Sequence, residues 1–334
     1  MKICIERSDR MGDMILTLPI IQGIKEKNPK ASIDVVASKK NLKICELSNL
    51  INKTYEKTNN SSAFKQLTKS IRNEKYDYYF SFSPSWFGLC LGYYSKSKFK
   101  SALILQSRYK SNFLSKLWQI IFSKIFFSQS KVINRFKSLR ENHDIHQTKM
   151  MMEVILNSGI NLDKSNVSKF AFTNAFTIKK DQKVCVIHLS SKWINKYYEE
   201  DNFLELLKTL ENKNLRIYLT TDETTKSKFD KIFTLYSSIN KPSDLINNNK
   251  QILLCNNFDF ENWTSLLNQA DYSITPESGC THIASLTNSK LCVIYDSDNL
   301  PKSIMREYAP WNKEYLALET NDIAINKKLL NFVE

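Results

Sequence analysis

The chain has 334 residues, 42% of them apolar, with 48 Lys and Arg against 34 Asp and Glu for a net charge of +14. That length exceeds one ordinary core and implies two domains of about 150 residues each. A mean hydropathy of −0.38 and the lack of an apolar run of 18 or more residues exclude a transmembrane helix.

The N-terminus, MKICIERSDR, goes straight into a strand without a charged–apolar–small pattern, so no signal peptide is expected. Apolar runs recur at short intervals after it. KICIE reads as a strand, Asp13 to Lys27 as a helix, and SIDVVAS, YDYYFSF and SALILQ as further strands. Strands separated by helices imply a parallel α/β sheet. Residues 161–182 are polar and aperiodic and are expected to link a first domain, 1–160, to a second, 183–334. In the second, KVCVIHLSS, LRIYLTTD, QILLCNN, YSITP and KLCVIYD read as strands. Helices are expected between them at 202–211, 224–236, 261–269 and 278–286. Two doubly wound α/β domains in series bind ligand in the cleft between them, at strand C-termini.

The seven Cys (4, 45, 90, 185, 255, 280 and 292) are odd in number and form no CxxC. Free thiols in a reducing cytoplasm are expected.

Four segments carry chemistry. In TPESGCTHIAS, Ser278 and Gly279 open a helix after a strand, with His282 on its first turn. Free amides and the helix dipole there favour a phosphate; the bland reading is an ordinary capped helix. In HLSSKWINKYYEEDNF, Ser190, Ser191, Lys192 and Lys196 put hydroxyls and charge at a strand end. That composition suits a diphosphate, although a solvated loop looks the same. Glu223, after the next strand, either accepts from a ribose or charges a first helical turn. In ERSDRMGD, Asp13 is either a helix-start carboxylate or a general base.

Together these segments resemble glycosyltransferase family 9, the ADP-heptose:lipopolysaccharide heptosyltransferase family of GT-B enzymes. Met11-Gly12-Asp13 followed by Thr17-Leu18-Pro19 matches its opening, and Lys196 to Phe203 matches its K-x-W-P-x-E-x-F. Pro276 to Ala284 matches its N-D-T-G-x-x-H-x-A, and His146 through Gly159-Ile160 matches its linking helix. The resemblance implies two Rossmann-like domains facing a central cleft and inverting, metal-independent transfer with no cofactor beyond the nucleotide sugar, ADP-heptose first. It gives Asp13 the role of base and Lys196 that of stabilising the leaving diphosphate. Ser190, Ser191, Ser278, Gly279 and His282 would hold the diphosphate of the donor and Glu223 its ribose, with Lys192 and Glu277 also among the donor-binding residues, while Gly12 lets the acceptor come close. Glu277 replaces the family's Asp, Tyr198 its Trp and Glu199 its Pro, and no Pro-Gly follows His188.

The charge is unevenly placed. Residues 1–160 carry 27 Lys and Arg against 12 acids, and residues 161–334 carry 21 against 22. From 78 to 140 there is no acid at all, with 11 basic and 16 aromatic residues. An anionic partner is expected for this span. Lys96, Lys98, Lys100 and Arg108 are its candidate contacts to an anionic glycolipid acceptor. Asn112 to Phe127 reads as an amphipathic helix, with Asn112 (outside the residues described below), Ser115, Lys116, Gln119 and Ser123 on one face and Leu114, Leu117, Trp118, Ile121 and Ile125 on the other. Its apolar face is either core or a membrane-docking surface. The expected location is the cytoplasmic face of the inner membrane. Nucleic-acid module signatures are missing. The competing reading is a GT-B fold kept as an anionic-glycan or membrane-binding module.

Overall fold

A computed structural model describes residues 1–83, 85–106, 113–135, 145–163, 174–179, 181–221, 223–246 and 248–334. The chain divides into two compact units. One is Met1–Ser168 with Arg306–Ala309, and the other is Lys169–Met305 with Pro310–Glu334.

The first unit is built on β1 (Lys2–Arg7), β2 (Ser32–Ala37), β3 (Lys53–Glu56), β4 (Tyr78–Ser81), β5 (Phe99–Leu105) and β6 (Gln129–Ile133). They form one parallel sheet in the order β3-β2-β1-β4-β5-β6. A central parallel strand is covered on both faces, which is why β1 is buried from Ile3 to Arg7. The chain winds outward from β1 to β3 and returns beside β1 at β4. The C-terminal ends of β1 and β4 therefore flank the switch point where such sheets bind ligands.

Where the sequence suggests one helix over 13–27, there are two: α1 (Met11–Ile15) and α2 (Leu18–Lys27). Pro19 lacks the N–H that would reach the Ile15 carbonyl, and its ring would clash there. The helices between strands are α3 (Leu42–Glu46), α4 (Ser61–Asn73), α5 (Trp86–Ser95) and α6 (Phe113–Phe126). Then α7 (Gln147–Asn157) starts at His146, whose Nδ1 accepts from the Thr148 amide at 3.2 Å. Beyond its end, Gly159 takes a φ of +85°, the left-handed turn that closes many helices.

The second unit holds β7 (Lys183–His188), β8 (Leu215–Thr221), β9 (Ser238–Ile239), β10 (Ile252–Asn256), β11 (Tyr272–Pro276), β12 (Lys290–Tyr295) and β13 (Tyr315–Glu319). Its parallel order is β13-β12-β11-β7-β8-β10-β9, with the switch point between β7 and β11. The helix expected over 224–236 is a 3₁₀ stretch, Glu223–Lys228, then Asp230–Leu235, with buried Phe229 between them. All seven Cys are free, six buried and Cys90 half-buried.

Candidate functional site

Arg7, the last residue of β1, is buried with its guanidinium among carbonyl and carboxylate oxygens. Its Nη1 donates to the Phe82 carbonyl at 2.6 Å, and its Nη2 to Asp13 Oδ1 at 2.9 Å and Gln147 Oε1 at 3.3 Å. Its Nε lies 3.1 Å from Asp9 Oδ1. Burial opposes this charge, but Asp9 and Asp13 outweigh it and hold the guanidinium more firmly protonated than usual. Asp13 is the third residue of α1, yet it is no cap. Arg10 is the N-cap, without a side-chain bond, and the Asp13 carboxylate takes Arg7 instead.

The network continues inward. Gln147 Nε2 donates to Glu307 Oε1 at 2.7 Å, Glu307 pairs with Arg135, and Arg135 reaches the Tyr308 hydroxyl at 3.3 Å. Glu307 is wholly buried among these partners. Behind the site, burial raises the Glu6 carboxyl, while Ser8 and Ser81 donate to it at 2.5 and 2.9 Å.

A cavity of about 300 Å³ opens at this switch point, lined among others by Arg7, Asp9, Asp13, Lys57, Arg135 and Tyr308. Asp9, 27% exposed at its wall, has its carboxyl pushed up to about 7. Burial is the main cause; Arg7 opposes it, while Asp13 and Glu6 add to it.

In the second unit, Ser278 caps the helix Gly279–Ser285. Its Oγ accepts from the Cys280 amide at 3.2 Å, and Thr281 Oγ1 accepts from the Ser278 amide at 3.3 Å. The Ser278 O–H keeps its own proton to donate. Lys192, following Ser190 and Ser191 after β7, bonds Glu277 Oε2 at 2.6 Å and also its carbonyl. The structure thus gathers Lys192, Glu277, Ser278 and Gly279 at the β7–β11 switch point, with His282 buried one turn into the helix. Lys196 is placed otherwise, exposed and 2.8 Å from Asp298 Oδ1. Glu223 opens the 3₁₀ stretch, and its side chain lies outside the described residues.

Two departures from the family pattern have structural explanations. Tyr198 is buried against Trp193 and Phe203, and its hydroxyl donates to Asn326 Oδ1 at 2.7 Å. Glu199 occupies an N-cap whose N–H, missing from a Pro, donates to Asn202 Oδ1 at 2.9 Å.

Gly12 is buried in α1. Lys96, Lys98 and Lys100 are not gathered with Asp13. They lie where β5 begins, Lys98 paired with Asp77 at 2.7 Å, while the cavity touches its far end at Leu105. In a parallel sheet those ends are roughly 20 Å apart. The cations that line the cavity are Arg7, Arg10, Lys57 and Arg135. Arg108 lies outside the described residues. Sequence reasoning missed Arg7, Gln147 and Glu307; a charged residue ending a buried strand was the available signal for Arg7.

Helix α6 is turned against its pattern. Gln119 and Ser123 face inward, 4% and 0% exposed, and half-buried Lys116 donates to Gln119 at 3.0 Å. Leu114, Trp118 and Ile125 are 70%, 61% and 66% exposed, with Leu117 and Ile121 also outward. Phe122, packing against Trp86 and Phe126, anchors the helix. Among the described residues, no helix is long and apolar enough to cross a membrane, and no group of three or more His, Cys, Asp or Glu could hold a metal ion.

Two parallel α/β units, each with a polar site at its switch point, define a GT-B type of fold, and solved structures share it. The Escherichia coli ADP-heptose lps heptosyltransferase II aligns at TM-score 0.74 and 12% identity, over 100% of this chain and 98% of its own. A glycosyl transferase family 9 protein from Veillonella parvula aligns at 0.72 and 14%, over 100% and 90%. E. coli heptosyltransferase WaaC, bound to ADP-2-deoxy-2-fluoro heptose, aligns at 0.70 and 13%, over 100% and 99%. No curated protein matches the chain in sequence. The family description of glycosyltransferase family 9 (heptosyltransferase) matches residues 64–328. The chain belongs to that family.

Proposed function

We propose that the protein is an inverting glycosyltransferase that moves a heptose-like sugar from a nucleoside-diphosphate sugar to an anionic glycolipid of the lipopolysaccharide-core kind. Asp13 is the general base. The acceptor O–H bond breaks, its proton goes to Asp13, and its electron pair forms the new bond to the anomeric carbon. The bond from that carbon to the donor's diphosphate oxygen breaks, and the nucleoside diphosphate leaves with the electron pair. The observation that carries this reading is the Asp13 carboxylate, held by buried Arg7 on the wall of a switch-point cavity.

Ser190, Ser191, Lys192, Ser278, Gly279 and His282 bind the donor diphosphate in this reading. Glu277 orients Lys192, Glu223 takes the ribose, and Lys196 offers a second cation to the leaving group. ADP-heptose is the first candidate donor, in keeping with the ADP-sugar analogue bound by the structurally similar WaaC. No metal is required. Arg10, Lys57 and Arg135 supply the positive wall that an anionic acceptor needs.

The enzyme works peripherally at the cytoplasmic face of the inner membrane. Support comes from the outward apolar face of α6 within an acid-free basic span. The same face favours the second reading, a weakened GT-B protein acting as a membrane- or anionic-glycan-binding module.

Thermal shift against ADP, GDP, UDP and CDP and their sugars separates the two. A donor that binds the native state raises the melting temperature by mass action, with ADP and ADP-heptose expected to act most strongly. No shift with any of them removes the transferase reading.

A further inference from the structure

One guanidinium serves two carboxylates. Arg7 reaches Asp13 through Nη2 at 2.9 Å and Asp9 through Nε at 3.1 Å. A carboxylate beside a cation loses proton affinity, and a second carboxylate nearby restores some of it. How much of the Arg7 charge faces Asp13 therefore depends on the charge state of Asp9.

We propose that Asp9 is a positioning residue for the transfer reaction: ionised Asp9 shares the Arg7 guanidinium with Asp13, and protonated Asp9 leaves that charge to Asp13 alone. The inference rests on the reading of Asp13 as base and deepens it. Asp9 and Asp13 both line the cavity, so the pair stands where an acceptor hydroxyl would come. The charged and titratable groups around Asp9 are Glu6 and Arg7 from β1, Arg10 and Asp13 at α1, and Lys57, Arg135 and Tyr308 on the cavity wall.

Burial pushes the Asp9 carboxyl up to about 7. The change of state therefore falls between about pH 6 and pH 8. Above it, Asp9 is charged and shares Arg7 with Asp13. Below it, Arg7 belongs to Asp13 and proton removal slows. Asp9→Asn imitates the protonated state at every pH.

The test has two arms. The first is ¹³C NMR of aspartate-labelled protein without ligand. The proposal expects one carboxyl titrating near neutrality, absent in Asp9→Asn and moved downward in Asp13→Asn. If no aspartate titrates above about pH 5, the proposal is wrong whatever the activity. The second is the pH profile of ADP release from ADP-heptose in the presence of acceptor. Wild type should slow several-fold as pH falls through neutrality. Asp9→Asn should stay at the slow rate throughout with an unchanged donor KM, and Asp9→Glu should regain the pH-dependent limb. An Asp9→Asn protein that keeps the wild-type limb overturns the proposal. Wild-type protein with the expected titration but no transfer overturns the reading of Asp13 as base, and this role with it.

Discussion

Nη2 of Arg7 lies 2.9 Å from Oδ1 of Asp13, with 1% and 10% of the two side chains exposed. The carboxylate at the start of α1 is therefore fixed by a strand residue rather than by helix amides. Its orientation is set by the sheet.

Asp13→Asn keeps the shape of the side chain and removes the proton acceptor. Transfer should fall by about 10² to 10⁴, while melting temperature and nucleotide affinity stay near wild type. Calorimetry and a transfer assay on one preparation check this. An active, folded Asp13→Asn protein would leave Asp13 a purely structural ion-pair partner.

Arg7→Met strips a buried network of its cation and leaves Asp9, Asp13 and the Phe82 carbonyl without their partner. Breaking a buried pair in this way costs about 3–5 kcal/mol. Urea denaturation should show that loss. Arg7→Lys should fall between, because an ammonium keeps the charge but not the planar fork.

Lys192 and Lys196 are separable. Lys192 sits on Glu277 beside the Ser278 cap, while Lys196 is solvated on Asp298. Lys192→Ala should weaken ADP binding about tenfold, the scale of one charge-assisted hydrogen bond at about 1.5 kcal/mol. Lys196→Ala should change it much less in titration calorimetry. Equal losses would restore Lys196 to the phosphate contact.

The outward face of α6 predicts a loss of vesicle binding without a loss of stability. Trp118→Ser with Ile125→Ser should reduce co-sedimentation with anionic vesicles at low salt. Stability should move by less than about 0.5 kcal/mol, as for most exposed substitutions. Ser123→Leu, at a fully buried position, should do the reverse and destabilise by about 1–3 kcal/mol through overpacking. Unchanged sedimentation of the first variant would exclude α6 as the membrane contact.

The interior strands were legible because burial on both faces demands continuous apolar runs such as those in KICIER and KLCVIY. The four strands that escaped, β3, β6, β9 and β13, are the edges of the two sheets. An edge strand is half solvated and needs no such run; KTYE and QSKVI carry lysines there. The places of Asp13 and Ser278 at helix starts were legible because they sit in short contiguous motifs. That Lys96, Lys98 and Lys100 lie at the end of β5 away from the cavity was not legible, because charge composition does not say which end of a strand a residue occupies. Gln147 and Glu307 had no local signal, since they meet Arg7 and each other across 140 and 160 residues. Helix α6 shows the limit of amphipathic patterning: Gln119 and Ser123 turn inward while Ser115 stays outside with the apolar face, and only packing decides which side is buried.

The return of Arg306–Ala309 to the first unit has a consequence for synthesis. Arg135 and Gln147 leave the ribosome 172 and 160 residues before their partner Glu307. At about 5–20 residues per second, that is a wait on the order of 10–30 s. Throughout it the nascent first unit holds Arg135 and Gln147 without the carboxylate that joins them. A stop codon shortly before position 306 would therefore damage the N-terminal half of the protein, which such a truncation leaves intact in sequence.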